Sequence, residues 1–285
     1  MKKIGLVLEG GGLRGLYTAG VLDTFMDNNI DIDTIIGVSA GALFGVNYFS
    51  KQRGRALRYN KKYSNDKRYM SLKSFILTGN YINKKFAYYT ITNELDKFDN
   101  KTFKKSKKKM YAVATRLKDG KAEYFEIKDP IKQMEQLRAT SAIPGLTRIV
   151  KINKEKYLDG GVADSIPIDK MQELGMDKII VVETQPKNYK KKPLKRSIIR
   201  FMKIKYIKYP KFIKAMINRH ERYNEVKEKV IDLENKKEIF VIRPSQALNI
   251  DIKNKDEKKY QEVYNLGVKD TKKIIKDLKE YLRSK

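Results

Sequence analysis

The apolar positions of the chain follow two patterns, short continuous runs and longer stretches with helical spacing. Continuous apolar runs bounded by turn residues predict buried strands. These strands cover residues 4–8, 34–38, 110–117 and 178–183. Apolar positions three or four residues apart predict helices. These helices cover residues 16–26, 40–48, 84–98, 131–138 and 168–174.

Weaker signals complete the outline. Asp119-Gly120 predicts a hairpin turn between two strands. Residues 51–75 are polar and basic, and we expect them to be irregular. The further strands that we predict cover residues 122–127, 148–152, 156–158 and 239–242. One further predicted helix ends at Leu233, and another covers residues 256–282.

The second strand ends in the pattern Gly37-x-Ser39-x-Gly41, and a predicted helix follows at once. This order is typical of a nucleophile elbow, in which a serine lies at the tip of a sharp strand-to-helix turn. Gly37 and Gly41 lack the Cβ atoms that would clash there. The first N–H groups of the helix would point at an oxyanion beside Ser39. Ser39 is therefore a candidate nucleophile, and the alternative is an ordinary strand–turn–helix connection.

The first strand leads into a glycine loop, residues 9–15 (EGGGLRG), and then into a helix. The N–H groups of such a loop form an anion site at a helix N-terminus. The loop also fits a dinucleotide fingerprint starting at Gly10, with Asp31 or Asp33 near the place of a ribose-binding acid. In a serine hydrolase the same N–H groups form an oxyanion hole. We favour the oxyanion hole because a dinucleotide fold needs no elbow around Ser39.

A serine nucleophile needs a base, and the usual base is a histidine held by a carboxylate. The single histidine, His220, lies in a charged helical context, which argues against a buried base. Asp159 is better placed, because it ends a predicted strand directly before Gly160 and Gly161. Turn capping also explains an aspartate there. An ordinary aspartate with a pKa of about 3.9 is a weak base, so a Ser–Asp pair needs a dry site that raises this pKa.

Composition limits the other chemistry. The chain has 285 residues, of which 41% are hydrophobic, which suits one large α/β domain or a domain of roughly 180 residues with an extension. With no cysteine, disulfides, thiolate metal sites and cysteine nucleophiles are excluded. One histidine and no calcium-loop spacing of carboxylates predict no metal and no cofactor.

The apolar stretches also bear on location. The first one is too short for a signal peptide, and none approaches the roughly 18 apolar residues of a membrane span. We therefore expect a cytoplasmic protein, with peripheral attachment to the inner face of the membrane as an open alternative.

The formal net charge is +29, which favours polyanionic partners such as nucleic acid or an anionic membrane. No Asp or Glu occurs between Glu183 and Glu221, and Lys and Arg alternate there with Ile, Phe and Tyr. The basic segment 187–214 is consistent with an amphipathic helix that contacts an anionic membrane. A helix packed on the main domain with a solvated basic face explains it equally well. We expect no specific nucleic-acid partner.

Taken together, the motifs resemble the patatin-like phospholipases. The resemblance rests on the glycine loop with Arg14, on the elbow at Ser39 and on Asp159-Gly160-Gly161, in that order, and it covers roughly residues 4–185. Residues 141–144 (SAIP) are similar to a further block of the family. One departure is Glu9, which stands where many members carry Asp.

The resemblance implies roles for these residues. Ser39 would be the nucleophile and Asp159 the general base of a Ser–Asp dyad. The oxyanion hole would be formed by the backbone amides of Gly10, Gly11 and Gly12. The supporting residues would be Arg14, Gly37, Gly41, Gly160 and Gly161.

The resemblance also implies a fold and an activity. The fold is α/β, a three-layer α/β/α arrangement with a mainly parallel sheet and a mostly helical C-terminal extension. We place the catalytic domain at residues 1–185 and the basic extension at residues 186–285. The implied activity is hydrolysis of acyl esters in phospholipids or other lipids, without a metal. An acyltransferase with the same dyad, a non-catalytic lipid- or polyanion-binding protein and a nucleotide- or nucleic-acid-binding protein are the alternatives.

Overall fold

The computed structural model describes residues 2–284, and these contain one eight-stranded mixed sheet. The strands are β1 Ile4–Leu8, β2 Thr34–Val38, β3 Lys109–Arg116, β4 Ala122–Glu126, β5 Val150–Ile152, β6 Glu155–Asp159, β7 Lys178–Val182 and β8 Ile239–Ile242. Their spatial order is β5-β6-β3-β2-β1-β7-β8, and β4 pairs with β3. The five strands from β3 to β8 in this order are parallel. The pairings of β4, β5 and β6 are antiparallel.

Helices lie on both sides of this sheet, as the α/β/α fold predicts. They are α1 Gly15–Asp27, α2 Ala40–Phe49, α3 Arg55–Tyr63, α4 Leu72–Thr78, α5 Asn100–Lys105, α6 Met134–Thr140, α7 Ile168–Glu173, α8 Arg196–Lys205, α9 Pro210–Ile217, α10 Arg219–Asn235 and α11 Glu257–Arg283. Lys84–Leu95 is a π-helix, and Gly12–Arg14 and Gly160–Val162 are 3-10 turns.

The expectation that residues 51–75 are irregular is wrong, because α3 and the start of α4 lie there. The buried face of α3 includes Arg55 and Asn60 beside Ala56 and Tyr63. A helix that buries polar side chains does not show the apolar periodicity on which the prediction relied.

Alternation along the central strands sends side chains to two faces. Leu6 and Leu8 pack in a core with residues of α1, α2 and α11. Val7 packs on the other face, in a core with residues of α7 and α10. The sheet is therefore buried on both faces, which explains why its strands are continuously apolar.

The C-terminal region, which begins at residue 186, contributes to the sheet and to both helical layers. β8 pairs in parallel with β7 and extends the sheet. α11 crosses α1 so closely that a Cβ on Gly267 would overlap the carbonyl oxygen of Tyr17. The reciprocal Cβ on Gly20 would overlap the carbonyl oxygen of Tyr264. The division into a catalytic domain at residues 1–185 and an extension at residues 186–285 stays a prediction.

Candidate active site

Ser39 lies between β2 and α2, at the turn that the elbow pattern predicts. Its backbone has φ 54° and ψ −123°, a conformation that non-glycine residues rarely adopt. A Cβ on Gly37 would lie 2.5 Å from Cα of Ala42, and one on Gly41 would lie 2.6 Å from the carbonyl oxygen of Leu8. The flanking glycines are therefore required by the close approach of the backbone.

Hydrogen bonds hold this turn from both sides. The amide of Ser39 donates to Oγ1 of Thr140, at the end of α6, over 2.8 Å. The carbonyl of Ser39 accepts from the amides of Ala42 and Leu43, each at 3.1 Å. Ser39 is thus fixed at the N-cap of α2, and the residue is 7% exposed at the carboxyl end of the parallel sheet.

Asp159 lies at the end of β6 and makes two hydrogen bonds with its carboxylate. Oδ2 accepts from Oγ of Ser39 over 2.7 Å. Oδ1 accepts from the amide of Gly161 over 2.8 Å. The carbonyl of Asp159 also accepts from Oγ1 of Thr115. One oxygen of the carboxylate therefore caps the turn at Gly161 while the other accepts the hydrogen bond from Ser39.

The surroundings of Asp159 change its protonation. Burial raises the pKa of the Asp159 carboxyl above its ordinary value, because the charged form loses hydration. The positive charge of Arg219 and the hydrogen bonds from Ser39 and Gly161 act in the opposite direction. The site is therefore dry enough to make this aspartate a stronger base than an exposed one, while a nearby cation favours its charged form.

The glycine loop lies directly beside Ser39. A Cβ on Gly10 would lie 3.2 Å from Cβ of Ser39, so the two residues are in close contact. Gly12 has φ 56° and faces open space. Among the hydrogen bonds within residues 2–284, none has the amide of Gly10, Gly11 or Gly12 as donor. The three amides thus have no acceptor among the described residues, and Gly10 and Gly12 lie at the serine.

Arg14 ends the 3-10 turn of the glycine loop. Its amide donates to the carbonyl of Gly11 over 3.1 Å, which closes the turn. Its Nε is buried and has no hydrogen-bond partner in the described part of the chain. The charge of Arg14 lowers the pKa of Glu9, so this cation lies near the buried carboxylate at the start of the loop.

Glu9, the departure from the family pattern, is buried beneath this loop. Its carboxylate accepts from the amide of Thr184 over 2.5 Å and from the hydroxyl of Tyr223 over 2.8 Å. Burial and the neighbouring Glu183 raise the pKa of Glu9. No local sequence pattern indicates this role, because Tyr223 lies 214 residues further along the chain, on α10.

Two cations from the C-terminal region also reach the site, and sequence reasoning missed both. Arg219, the first residue of α10, lies beside Gly161. Lys191 lies over the ring of Tyr223, with Nζ 4.3 Å from the ring centroid. The only local signal was the stretch without acidic residues, which does not single out these two positions among many Lys and Arg.

His220 is not joined to the serine by any hydrogen bond or ion pair of the described residues. Its Nδ1 lies 3.0 Å from the carbonyl oxygen of Ile217, and its Nε2 lies 3.9 Å from Glu221. That this histidine is not the base stays a prediction.

An apolar cavity of about 70 Å³ opens beside Ser39. A second cavity of about 90 Å³ lies behind it among the helices. Four residues line both cavities: Leu43, Tyr59, Tyr69 and Ile82. The two spaces are therefore neighbours, and together they lead from the serine into the apolar interior.

Residues 2–284 contain neither a metal-binding cluster nor a membrane-spanning helix. No group of three or more His, Cys, Asp or Glu side chains could hold a metal ion there. None of the helices in that range is both long enough and apolar enough to cross a bilayer.

The fold and the site are those of an α/β protein with a serine at a strand-to-helix turn over a mainly parallel sheet. Residues 6–171 match the family model described as patatin-like phospholipase, and the chain belongs to that family. Residues 209–283 match a domain of unknown function, DUF6363.

Similar proteins include YjjU, an uncharacterized protein of Escherichia coli (strain K12). It is 33% identical to this chain over 65% of this chain and 52% of its own length. Lysophospholipase nte1 of Aspergillus niger is 29% identical over 64% of this chain and 12% of its own length. The chain thus spans about half of the first relative and a small part of the second. A crystal structure of VipD from Legionella pneumophila aligns with 97% of this chain and 67% of its own, with TM-score 0.49 and 12% identity.

Proposed function

We propose that this protein is a lipid acyl hydrolase that uses a Ser39–Asp159 dyad and an oxyanion hole of glycine amides. The observation that carries the proposal is the 2.7 Å hydrogen bond from Oγ of Ser39 to Oδ2 of Asp159. A buried carboxylate at hydrogen-bond distance from a serine can accept its proton. Membership of the patatin-like phospholipase family and the lysophospholipase relatives support an ester of a lipid as the substrate.

The reaction has two steps. Ser39 attacks the ester carbonyl while Asp159 takes the hydroxyl proton, and the oxyanion accepts hydrogen bonds from the amides of Gly10, Gly11 and Gly12. The alcohol leaves with that proton, and an acyl-serine ester remains. Asp159 then takes a proton from water, which attacks the acyl ester. As the fatty acid leaves, Asp159 returns that proton to Oγ of Ser39, and the free enzyme is restored. Preorganised N–H donors such as these lower the barrier by roughly 3–4 kcal/mol each in serine hydrolases.

The apolar cavities support an acyl chain as the group that enters beside the serine. The lining of the first is almost wholly apolar and includes Leu43, Phe44 and Ile143. Burial of each CH₂ group contributes about 0.8 kcal/mol. A substrate with an alkyl chain would therefore be held with its carbonyl next to Ser39.

We also propose that the protein contacts anionic membranes through the basic segment 187–214. In this segment α8 carries Arg200, Lys203 and other cations, while large apolar side chains are exposed beside them. The exposed apolar residues of this region are Ile198, Phe201, Ile204 and Ile207. Leu72, Ile76 and Leu77 of α4 are exposed as well. A surface with both apolar and cationic side chains is suited to an anionic lipid surface.

Both helices are joined to the loop that lines the serine cavity. The hydroxyl of Tyr206 accepts from the amide of Gly145 over 2.9 Å, just after α8. Oδ1 of Asn80 accepts from the amide of Arg148 over 3.0 Å, just after α4. Ile143 of the same loop lines the cavity at Ser39. Docking on these helices would therefore bring lipid close to the site.

The dyad is tested with Ser39→Ala and Asp159→Asn. Ser39→Ala should abolish fluorophosphonate labelling and lower p-nitrophenyl butyrate hydrolysis by several orders of magnitude. Asp159→Asn cannot accept the proton and should lower turnover at least about a hundredfold. His220→Gln is the control and should stay within a few-fold of wild type. Normal labelling of folded Ser39→Ala would refute the nucleophile, and an inactive folded His220→Gln would refute the dyad.

Product analysis then separates hydrolysis from acyl transfer. With a radiolabelled lysophospholipid, the hydrolase releases free fatty acid, whereas an acyltransferase moves the label to a second lipid. Labelled product found only in a second lipid would contradict the hydrolase proposal and favour transfer by the same dyad.

The membrane contact is tested by sedimentation with vesicles of phosphatidylglycerol or phosphatidylcholine. Lys203→Gln with Lys208→Gln should weaken binding to the anionic vesicles about tenfold or more, because each cation contributes on the order of 1 kcal/mol. Ile204→Ser should weaken binding too. Leu95→Ser, which removes an exposed apolar side chain from another helix, is the control. Equal binding of wild type to both vesicle types would contradict the contact.

A further inference from the structure

The two cations Lys191 and Arg219 lie next to the Ser39–Asp159 pair. A Cβ on Gly161 would lie 2.9 Å from Nη2 of Arg219 and 3.1 Å from Oδ1 of Asp159. The guanidinium and the carboxylate therefore lie on one side of Gly161. The absence of a side chain at Gly161 leaves the space through which the guanidinium approaches.

Lys191 is held in place by α10. Its amide donates to Oδ1 of Asn224 over 2.8 Å, and its carbonyl accepts from Nδ2 of the same side chain over 3.1 Å. Its ammonium lies over the Tyr223 ring, whose hydroxyl donates to Glu9 at the start of the glycine loop. Although the chain at Lys191 belongs to no helix or strand, its position is thus fixed relative to the site.

Neither cation makes an ion pair or a hydrogen bond with a carboxylate in the described part of the chain, although the charges of Glu9 and Asp159 act on Lys191 from further away. Nε of Arg219 is buried and has no hydrogen-bond partner there. No ion pair within residues 2–284 includes Lys191 or Arg219, although exposed Lys190 on one side of Lys191 lies 3.9 Å from Glu228. Burial and the charge of Arg219 lower the pKa of Lys191 to about 8. Two desolvated cations so close together repel each other, and a bound anion would remove that cost.

A cavity of about 330 Å³ lies in front of these cations. Its walls include Tyr189, Lys191, Met216 and Arg219. A guanidinium offers a planar pair of donors that matches two oxygens of a phosphate, and an ammonium adds a point charge. The cavity is large enough for a compact anionic group and adjoins the proposed dyad through Arg219.

We propose that Lys191 and Arg219 form a binding site for the phosphate group of the ester substrate. This inference rests on the proposed function, because it places the phosphate and the ester of one molecule in neighbouring sites. Substrates with a phosphate are then preferred over uncharged esters. The cations come from the C-terminal region, so that region selects the substrate.

Direct binding of glycerol 3-phosphate to the full chain tests the site independently of hydrolysis. Isothermal titration calorimetry at pH 7 and low salt should give one saturable site for wild type and no binding of uncharged glycerol. Lys191→Met and Arg219→Gln should each weaken binding at least tenfold, and Lys191→Arg should largely restore it. Lys195→Met, the same charge change at an exposed position outside the cavity lining, should bind within twofold of wild type.

Arg219→Lys covers the case in which Arg219→Gln does not fold, since it keeps the charge but loses the planar pair of donors. Circular dichroism and thermal unfolding identify misfolded variants. Equal binding by wild type, folded Lys191→Met and folded Arg219→Lys would overturn the site.

Kinetics separate a phosphate in the substrate from a free phosphate ion that regulates the enzyme. For a substrate site, glycerol 3-phosphate should raise the KM of dihexanoyl phosphatidic acid without changing kcat. Lys191→Met should lower the ratio of kcat/KM for this substrate over p-nitrophenyl butyrate at least tenfold. An effect of inorganic phosphate on kcat alone would overturn the substrate assignment. A protein that hydrolyses esters but binds no glycerol 3-phosphate refutes only this site, and one that binds it but hydrolyses nothing refutes the proposed function.

Discussion

The backbone conformation of Ser39 is strained, so we predict that this residue lowers the free energy of unfolding of the protein. With φ 54° and ψ −123°, this residue lies in a region that costs a non-glycine residue about 1–3 kcal/mol. Replacement by glycine relieves this strain, whereas replacement by alanine keeps it. Both variants lose the hydrogen bond to Asp159, so their difference isolates the strain at the Cβ atom.

The expected difference follows from two opposing contributions. Relief of strain favours Ser39→Gly by about 1–3 kcal/mol. The greater freedom of glycine in the unfolded chain costs about 0.5–1 kcal/mol relative to alanine. Ser39→Gly should therefore be more stable than Ser39→Ala by about 1 kcal/mol, within a range of roughly 0–2.5 kcal/mol, although neither hydrolyses esters.

The assay is urea unfolding followed by circular dichroism and by tyrosine fluorescence, since the chain has no tryptophan. Coincident transitions justify a single free energy of unfolding for each variant. The matched control is Ser197, an exposed residue in the first turn of α8. There the glycine variant should be less stable than the alanine variant, by up to about 1 kcal/mol, which is the cost of glycine in a helix interior. If Ser39→Ala proved as stable as Ser39→Gly, the strain at the turn would be refuted.

Three further predictions concern the pH profile, the helix packing and metals. The positive charge of Arg219 lowers the pKa of Asp159, so Arg219→Gln should move the acid limb of kcat/KM for p-nitrophenyl butyrate to higher pH; an unmoved limb would contradict the contact. Gly267→Ala should destabilise the protein by about 1–3 kcal/mol in urea unfolding, because its Cβ would overlap the backbone of α1; unchanged stability would contradict that crossing. Exhaustive EDTA treatment should leave ester hydrolysis unchanged, and a loss that calcium restores would count against the metal-free mechanism.

Sequence patterns predicted the elements and motifs that depend on neighbouring residues in the chain. The strands that carry the glycine loop and Ser39 are buried on both faces, so each is a continuous apolar run that stands out by itself. The elbow needs glycine at Gly37 and Gly41 because the backbone of the next turn comes too close for a side chain. Local sequence therefore sufficed to locate the turn at Ser39.

The features that sequence reasoning missed depend on contacts between distant segments. α3 buries Arg55, whose guanidinium is satisfied by Asn47 and by the carbonyl of Asp96, so its buried face is not apolar. Lys191 and Arg219 reach the site only because α10 packs on the sheet. Nothing in a single sequence relates such positions to Asp159, and the charge of the segment hides them among similar residues.

Two buried carboxylates explain why the C-terminal region belongs with the site. Glu9 and Glu183 directly follow β1 and β7, which are neighbouring parallel strands, so both lie under the glycine loop. Tyr223 donates to Glu9 over 2.8 Å, and Lys227, one turn further along α10, donates to Glu183 over 2.9 Å.

A buried carboxylate without partners is costly, and breaking a buried ion pair typically destabilises a protein by about 3–5 kcal/mol. The strands that carry the loop therefore depend on α10 for these partners. Since α10 also begins with Arg219, the same helix that stabilises the loop supplies a cation beside Asp159. We infer that residues 1–185 and the C-terminal region act as one unit, because removal of the extension would also remove the partners of Glu9 and Glu183 beneath the glycine loop.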